Sequence, residues 1–242
     1  MDHLEPAAYL DTIATAAPAL LEAGRQSLVA PVPSCPGWVV RDVVAHLASV
    51  HRWAATAVTN PPGERPDFTE APSDGLLEWA GQQAQLLLDA LRTTDPDKDV
   101  WTFGPPRSVR FWLRRQAHET AMHAWDATAA VGTPIAFDAT MAADGVAEFV
   151  EMWLPRGLKR KPGSWAGETV HLHRTDGDVE WLVRLGPDGD TEVERGHAKG
   201  DLAVRASAAD LLLWMTNRID DGRVEIFGDP TLVARWRAEI AF

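Results

Sequence analysis

The residues best suited to chemistry lie in "RRQAHETAMHAWD", Arg114 to Asp126. A zinc-protease helix carries its two histidines at i and i+4, so that both face one ion. Here His118 and His123 are five apart and diverge by about 140°, at about 100° per residue. A regular helix therefore cannot turn both toward one metal. Glu119 and His123, four apart, share a face. A carboxylate and an imidazole on adjacent turns suit zinc or a similar divalent ion. The third ligand expected is His46, in "RDVVAHLASVH", which sits mid-helix among Val43, Val44, Leu47 and Val50 and should point inward. Helical bundles build metal sites from facing helices in this way. Three protein ligands leave one position open, which marks a catalytic rather than a structural site.

Each of these residues also has an ordinary reading. By spacing alone, Glu119 and His123 are more often an i,i+4 surface pair, and a lone His46 more often a hydrogen-bonded core histidine. Asp126, three residues after His123, is placed to accept that ring's second N–H, or to bond an arginine or solvent. His51 and His118 are expected at a solvated rim. His171 and His173 share a strand face, but no further ligand stands out near them; His3 and His197 show no partner pattern. Cys35, beside Pro36 in "PVPSCPG" and without a basic neighbour, is expected to be inert. Trp38, Trp53, Trp112 and Trp125 are expected to fill a core.

The elements that must position these groups are helical first. Residues 5–28, 38–58, 76–94 and 108–132 space apolar side chains at three- and four-residue steps. Loops join them, which predicts an antiparallel four-helix bundle. A fifth helical pattern covers 138–154. The stretch "LPRGLKRKPGSWAG" is rich in Pro, Gly and basic residues and reads as a boundary. Strand-like runs follow at 168–176, 179–186, 190–196, 201–207 and 223–228, with helices at 208–219 and 230–241. The expected organisation is a mainly α bundle over 1–154, a linker over 155–166 and a smaller α+β domain over 167–242.

Composition narrows the partners. The 242 residues carry a formal net charge of −12, which repels a phosphate backbone. No apolar run reaches the roughly 20 residues that span a bilayer, and the N-terminus lacks a basic-then-apolar layout. A single cysteine, Cys35, cannot form an internal disulfide. A cytoplasmic protein with small-molecule partners is expected, neither nucleic-acid- nor membrane-bound, as a monomer or weak homo-oligomer.

With these residues assembled, "VPSCPGWVVRDVVAHLASVHRWA" and "WLRRQAHETAMHAWDA" resemble the two signature stretches of the mycothiol-dependent maleylpyruvate isomerase family. The resemblance covers essentially the whole chain. It implies a DinB-like helical bundle, then a C-terminal domain similar to sterol-carrier proteins. It implies metal ligands at His46, Glu119 and His123, a divalent ion such as zinc, and mycothiol as a thiol cosubstrate. A catalytic arginine of the family falls on Arg218 in "LLLWMTNRID"; the family more often has Gly-Arg where this chain has Asn217–Arg218. The activity implied is attack of a thiolate on an electrophile, as a cis-trans isomerase of maleylpyruvate type or as an S-transferase. The residues alone leave two alternatives, a metal-dependent hydrolase or lyase using activated water and a non-enzymatic small-molecule binding module.

Overall fold

The computed structural model describes residues 4–240; His3 and the outermost ends of the two expected domains lie outside the described residues. The chain divides into two compact units, with the division between Ala136 and Phe137.

The first unit is a bundle of α1 (Pro6–Gln26), α2 (Val40–Thr59), α3 (Leu76–Thr93) and α4 (Val109–Ala130). Chiefly, α1 packs on α4 and α2 on α3, while α1–α3 and α2–α4 close the ring. Apolar stripes meet inside: Ile13 and Leu20 from α1, Val43, Val44 and Leu47 from α2, Leu87 from α3 and Trp112 from α4 are all buried. Burial of each such side chain contributes about 1.5–3 kcal/mol relative to exposure. Of the four tryptophans expected in the core, Trp112 is fully buried and Trp38, Trp53 and Trp125 are partly exposed. The Pro-rich loop before α2 is pinned by backbone bonds, with Val32 N donating to Trp38 O and Trp38 N to Cys35 O, both at 2.9 Å. That loop carries Ser34 and Cys35 onto α4.

The second unit begins before the Pro/Gly-rich stretch, not after it. Helix α5 (Ala139–Glu148) packs on α7 (Ala208–Met215) and runs through a π-turn at 149–153 into α6 (Leu154–Leu158). The fifth helix therefore belongs with the α+β unit, and the division falls upstream of 155–166. Asp138 caps α5 by accepting from the backbone of Thr140 and Met141.

Five strands, β1 (Thr169–Arg174), β2 (Trp181–Leu185), β3 (Thr191–Arg195), β4 (Leu202–Ala206) and β5 (Glu225–Gly228), form a sheet in the order β3-β2-β1-β4-β5. Only β1 and β4 pair in parallel. Val170, Leu172, Trp181, Val183, Leu202 and Val204 are buried and share one face by register. Helices α7 and α8 (Pro230–Glu239) pack on this sheet. Among the described residues no helix is long and apolar enough to cross a membrane.

Helix α7 ends with Asn217 at φ 59°, in the left-handed region. Asn217 N donates to Trp214 O at 3.1 Å and Arg218 N to Leu213 O at 2.8 Å, closing the helix on a reversed turn. Glycine and asparagine are the two residues that enter this region most readily. That accounts for asparagine standing where glycine was expected before Arg218.

Candidate metal centre

Helices α2 and α4 bring the three expected ligands together. His46 Nε2 lies 3.2 Å and His123 Nε2 3.3 Å from the same oxygen, Glu119 Oε1. The two imidazoles are 5.0 Å apart between centroids and nearly perpendicular, at 78°. Ligands held about 2.0 Å from a tetrahedral ion lie about 3.3 Å apart. The donor set and its spacing fit a small divalent cation. His46 does not point fully inward: its side chain is 35% exposed, against 18% for Glu119 and 13% for His123. The centre thus sits under the bundle surface, closest to solvent at His46.

Surrounding side chains fix the ligands. Arg115, one turn before Glu119, donates to Glu119 Oε2 at 2.9 Å, occupying the oxygen that the histidines do not use. Asp126, fully buried, faces His123 Nδ1 at 3.0 Å and accepts from Ser34 Oγ at 2.6 Å. The expected pairing of Asp126 with His123 is thus present. Trp38 meets the His46 ring edge-on at 5.4 Å.

Charge follows from this packing. Burial works against the Glu119 carboxylate, but hydrogen bonds to His123 and His46 and the Arg115 charge outweigh it and hold its pKa well below the usual range. Burial likewise favours a neutral His123 ring, yet its bonds to Asp126 and Glu119 push it up to about 9. Without a metal, a protonated imidazole thus supplies the positive charge between two carboxylates. A bound cation would take that part.

Two neighbours differ from expectation. His51 and His118 are buried, not at a rim. His51 Nε2 pairs with Thr120 Oγ1 at 2.8 Å, and burial lowers its pKa to about 3, so the ring is neutral. His118 packs edge-on against Tyr9 at 6.3 Å, on a different face from His123, as five-residue spacing demands. Cys35 is closer to the chemistry than its loop suggested, with Sγ 3.7 Å from Asp126 Oδ2. Cys35, His123 and Asp126 also form a potential ligand group. His123 faces the two groups with different atoms, Nδ1 toward Asp126 and Nε2 toward Glu119.

Arg218 belongs to the other unit, where its guanidinium donates to Thr216 O at 3.1 Å. Sequence reasoning missed Arg115, although its position four residues before Glu119 was the available signal. It also missed Ser34, which only the folded loop brings to Asp126.

Residues 10–128 match the family model for the mycothiol maleylpyruvate isomerase N-terminal domain, and residues 140–235 the corresponding C-terminal domain model. Two uncharacterized proteins, from two strains of Mycobacterium tuberculosis, are 29% identical over 121 residues, 42% of this chain and 46% of theirs. The chain thus matches under half the length of those relatives. Among solved structures, a mycothiol-dependent maleylpyruvate isomerase and a histidine-to-alanine mutant of it each superpose with a TM-score of 0.61 at 16% identity. Each match covers 92% of this chain and 93% of that one.

Proposed function

Since this chain belongs to the mycothiol maleylpyruvate isomerase family, we propose that it is an enzyme using a divalent cation and a mycothiol-type thiol to act on a small electrophile. His46, Glu119 and His123 would hold the cation, and zinc suits this donor set. A free thiol has a pKa near 8.5 and is only a few per cent thiolate at neutral pH; the cation, when bound, supplies the charge that keeps the thiol's sulfur anionic.

The chain's own residues have separable tasks. Asp126 keeps a proton on His123 Nδ1, which leaves the Nε2 lone pair facing the Glu119 side. Arg115 holds Glu119 Oε2 and leaves Oε1 to the centre. The neutral His51 adds no competing positive charge. Arg218 is proposed to hold a substrate carboxylate, for which a planar guanidinium is suited.

In the isomerase form, the thiolate sulfur adds to one carbon of a cis double bond conjugated to a carbonyl, and the electron pair moves onto that carbonyl. The former double bond rotates as a single bond. Return of the pair expels the sulfur and leaves the trans product, with the thiol regenerated. In an S-transferase form the sulfur conjugate would be released instead.

One observation carries this reading: an imidazole nitrogen from α2 and one from α4 lie 3.2 and 3.3 Å from the same Glu119 oxygen. The test is cis-trans isomerisation of maleylpyruvate by purified protein, with and without mycothiol, alongside metal analysis. Thiol-dependent turnover that is lost with the metal in Glu119→Gln is expected. Turnover that proceeds without thiol would favour the water-activating reading, and a metal-free active protein would overturn both.

A further inference from the structure

The C-terminal unit holds a second convergence of metal-binding side chains, unrelated to the bundle. His171 Nε2, His173 Nδ1 and His197 Nδ1 lie 2.7, 3.1 and 3.0 Å from a single atom, Glu180 Oε2. The three rings are 5.8, 5.3 and 5.8 Å apart between centroids and nearly perpendicular in every pair, at 82°, 86° and 84°.

Sheet register explains the meeting. His171 and His173 are two apart on β1 and project from the face opposite Val170 and Leu172. Leu172 pairs with Trp181, so one step further along the ladder His173 stands opposite Glu180, on the same face. Trp181 pairs with Arg195, and Gly196 N continues that ladder by donating to Glu180 O at 3.1 Å. Regular alternation would put His197 on the other face. Gly196, at φ 121°, breaks it, in a conformation that side chains rarely adopt. The same loop returns across β1 at Gly200, where a Cβ would come within 2.9 Å of His171 N. Two glycines thus shape the connection that delivers the fourth group.

Hydrogen bonding alone does not account for the cluster. One carboxylate oxygen offers about two lone pairs, yet three imidazole nitrogens lie within bonding distance of it. Three imidazole nitrogens gathered around one carboxylate oxygen, with all four atoms within 4.8 Å of one another, make a donor set for a divalent ion. Ligand atoms on a tetrahedral ion would stand about 3.3 Å apart; the three nitrogens lie 2.7–3.1 Å from Glu180 Oε2.

We propose that His171, His173, Glu180 and His197 form a second divalent-metal site, of zinc type, that fastens the β3–β4 connection to the central strands. Four protein ligands complete a tetrahedron, so the site is structural, in contrast to the three-ligand centre of the bundle. His171 is buried and His197 is 78% exposed; three ligands sit on or beside strands, and the loop closes the fourth corner.

The test uses the full chain with the bundle centre disabled by Glu119→Gln and His123→Ala, so that the outcome does not depend on the proposed enzyme activity. After zinc loading and dialysis this variant should retain one zinc per chain. Its melting temperature should rise with zinc, as binding to the native state requires. Cobalt in place of zinc should give the visible absorption of a tetrahedral centre. Adding Glu180→Gln should abolish retention. His197→Ala, at an exposed position that leaves folding intact, should weaken zinc binding by at least the roughly 10–100-fold seen on losing a ligand's supporting partner. Failure of the bundle-disabled variant to take up zinc would overturn the proposal, as would retention unaffected by Glu180→Gln and His197→Ala.

Discussion

Replacing Asp126 separates metal-binding geometry from electrostatics. In Asp126→Asn the amide oxygen still accepts the His123 Nδ1 proton at the present 3.0 Å, and the Ser34 hydroxyl can rotate to accept from the new NH2. What disappears is the negative charge that raises the basicity of His123 Nε2. Loss of such a supporting partner typically weakens metal binding about 10–100-fold, which is about 1.4–2.7 kcal/mol. Because the hydrogen bond survives, Asp126→Asn belongs near the lower figure. Asp126→Ala, which also leaves Nδ1–H unpartnered in a buried place, belongs near the upper one. Competition for zinc against a chromophoric chelator measures both, with circular dichroism to confirm the fold. Ser34→Ala serves as the control, because it removes one bond to Asp126 without touching its charge. Unchanged zinc affinity in two folded Asp126 variants would refute the claim that this carboxylate acts on the metal through His123.

Three further outcomes are expected. His51 has a pKa of about 3 when folded, against 6.5 as its ordinary value, so between these values the unfolded chain binds the extra proton. Stability should therefore fall as pH drops from 6.5 toward 3, by up to about 1.4 kcal/mol per pH unit from this group; parallel urea-denaturation profiles for wild type and His51→Gln would refute this. Asn217→Gly and Asn217→Ala both lose the amide bonds to Arg237 and Ile240, but only alanine resists φ 59°. Alanine should be the less stable of the two by about 1 kcal/mol in equilibrium denaturation, and equal stabilities would contradict the left-handed cap. Arg218→Met should raise KM for a carboxylate-bearing substrate while metal content stays at the wild-type level. An unchanged KM would remove Arg218 from substrate binding.

The two proposed metal sites show why one cluster is legible in the sequence and the other is not. In α4 the relation between Glu119 and His123 is local: the period of the helix alone puts them on one face. Four amphipathic stretches then make a bundle the natural way to bring His46 opposite them. Helical period does not say which unit a helix joins. The fifth pattern reads as part of the bundle, yet α5 lies against α7. Nor does it say how much of a helix's circumference is covered, so period alone leaves His51 and His118 at a rim, whereas in the fold both are buried. The C-terminal cluster depends on facts of longer range. Period two reveals His171 and His173 as a pair, but Glu180 reaches them only because Leu172 pairs with Trp181 rather than with a neighbour. A slip of one residue would send Glu180 to the opposite face. His197 arrives only because Gly196 reverses the alternation. The register, set by the apolar face of the sheet, is therefore the physical quantity that assembles these four ligands.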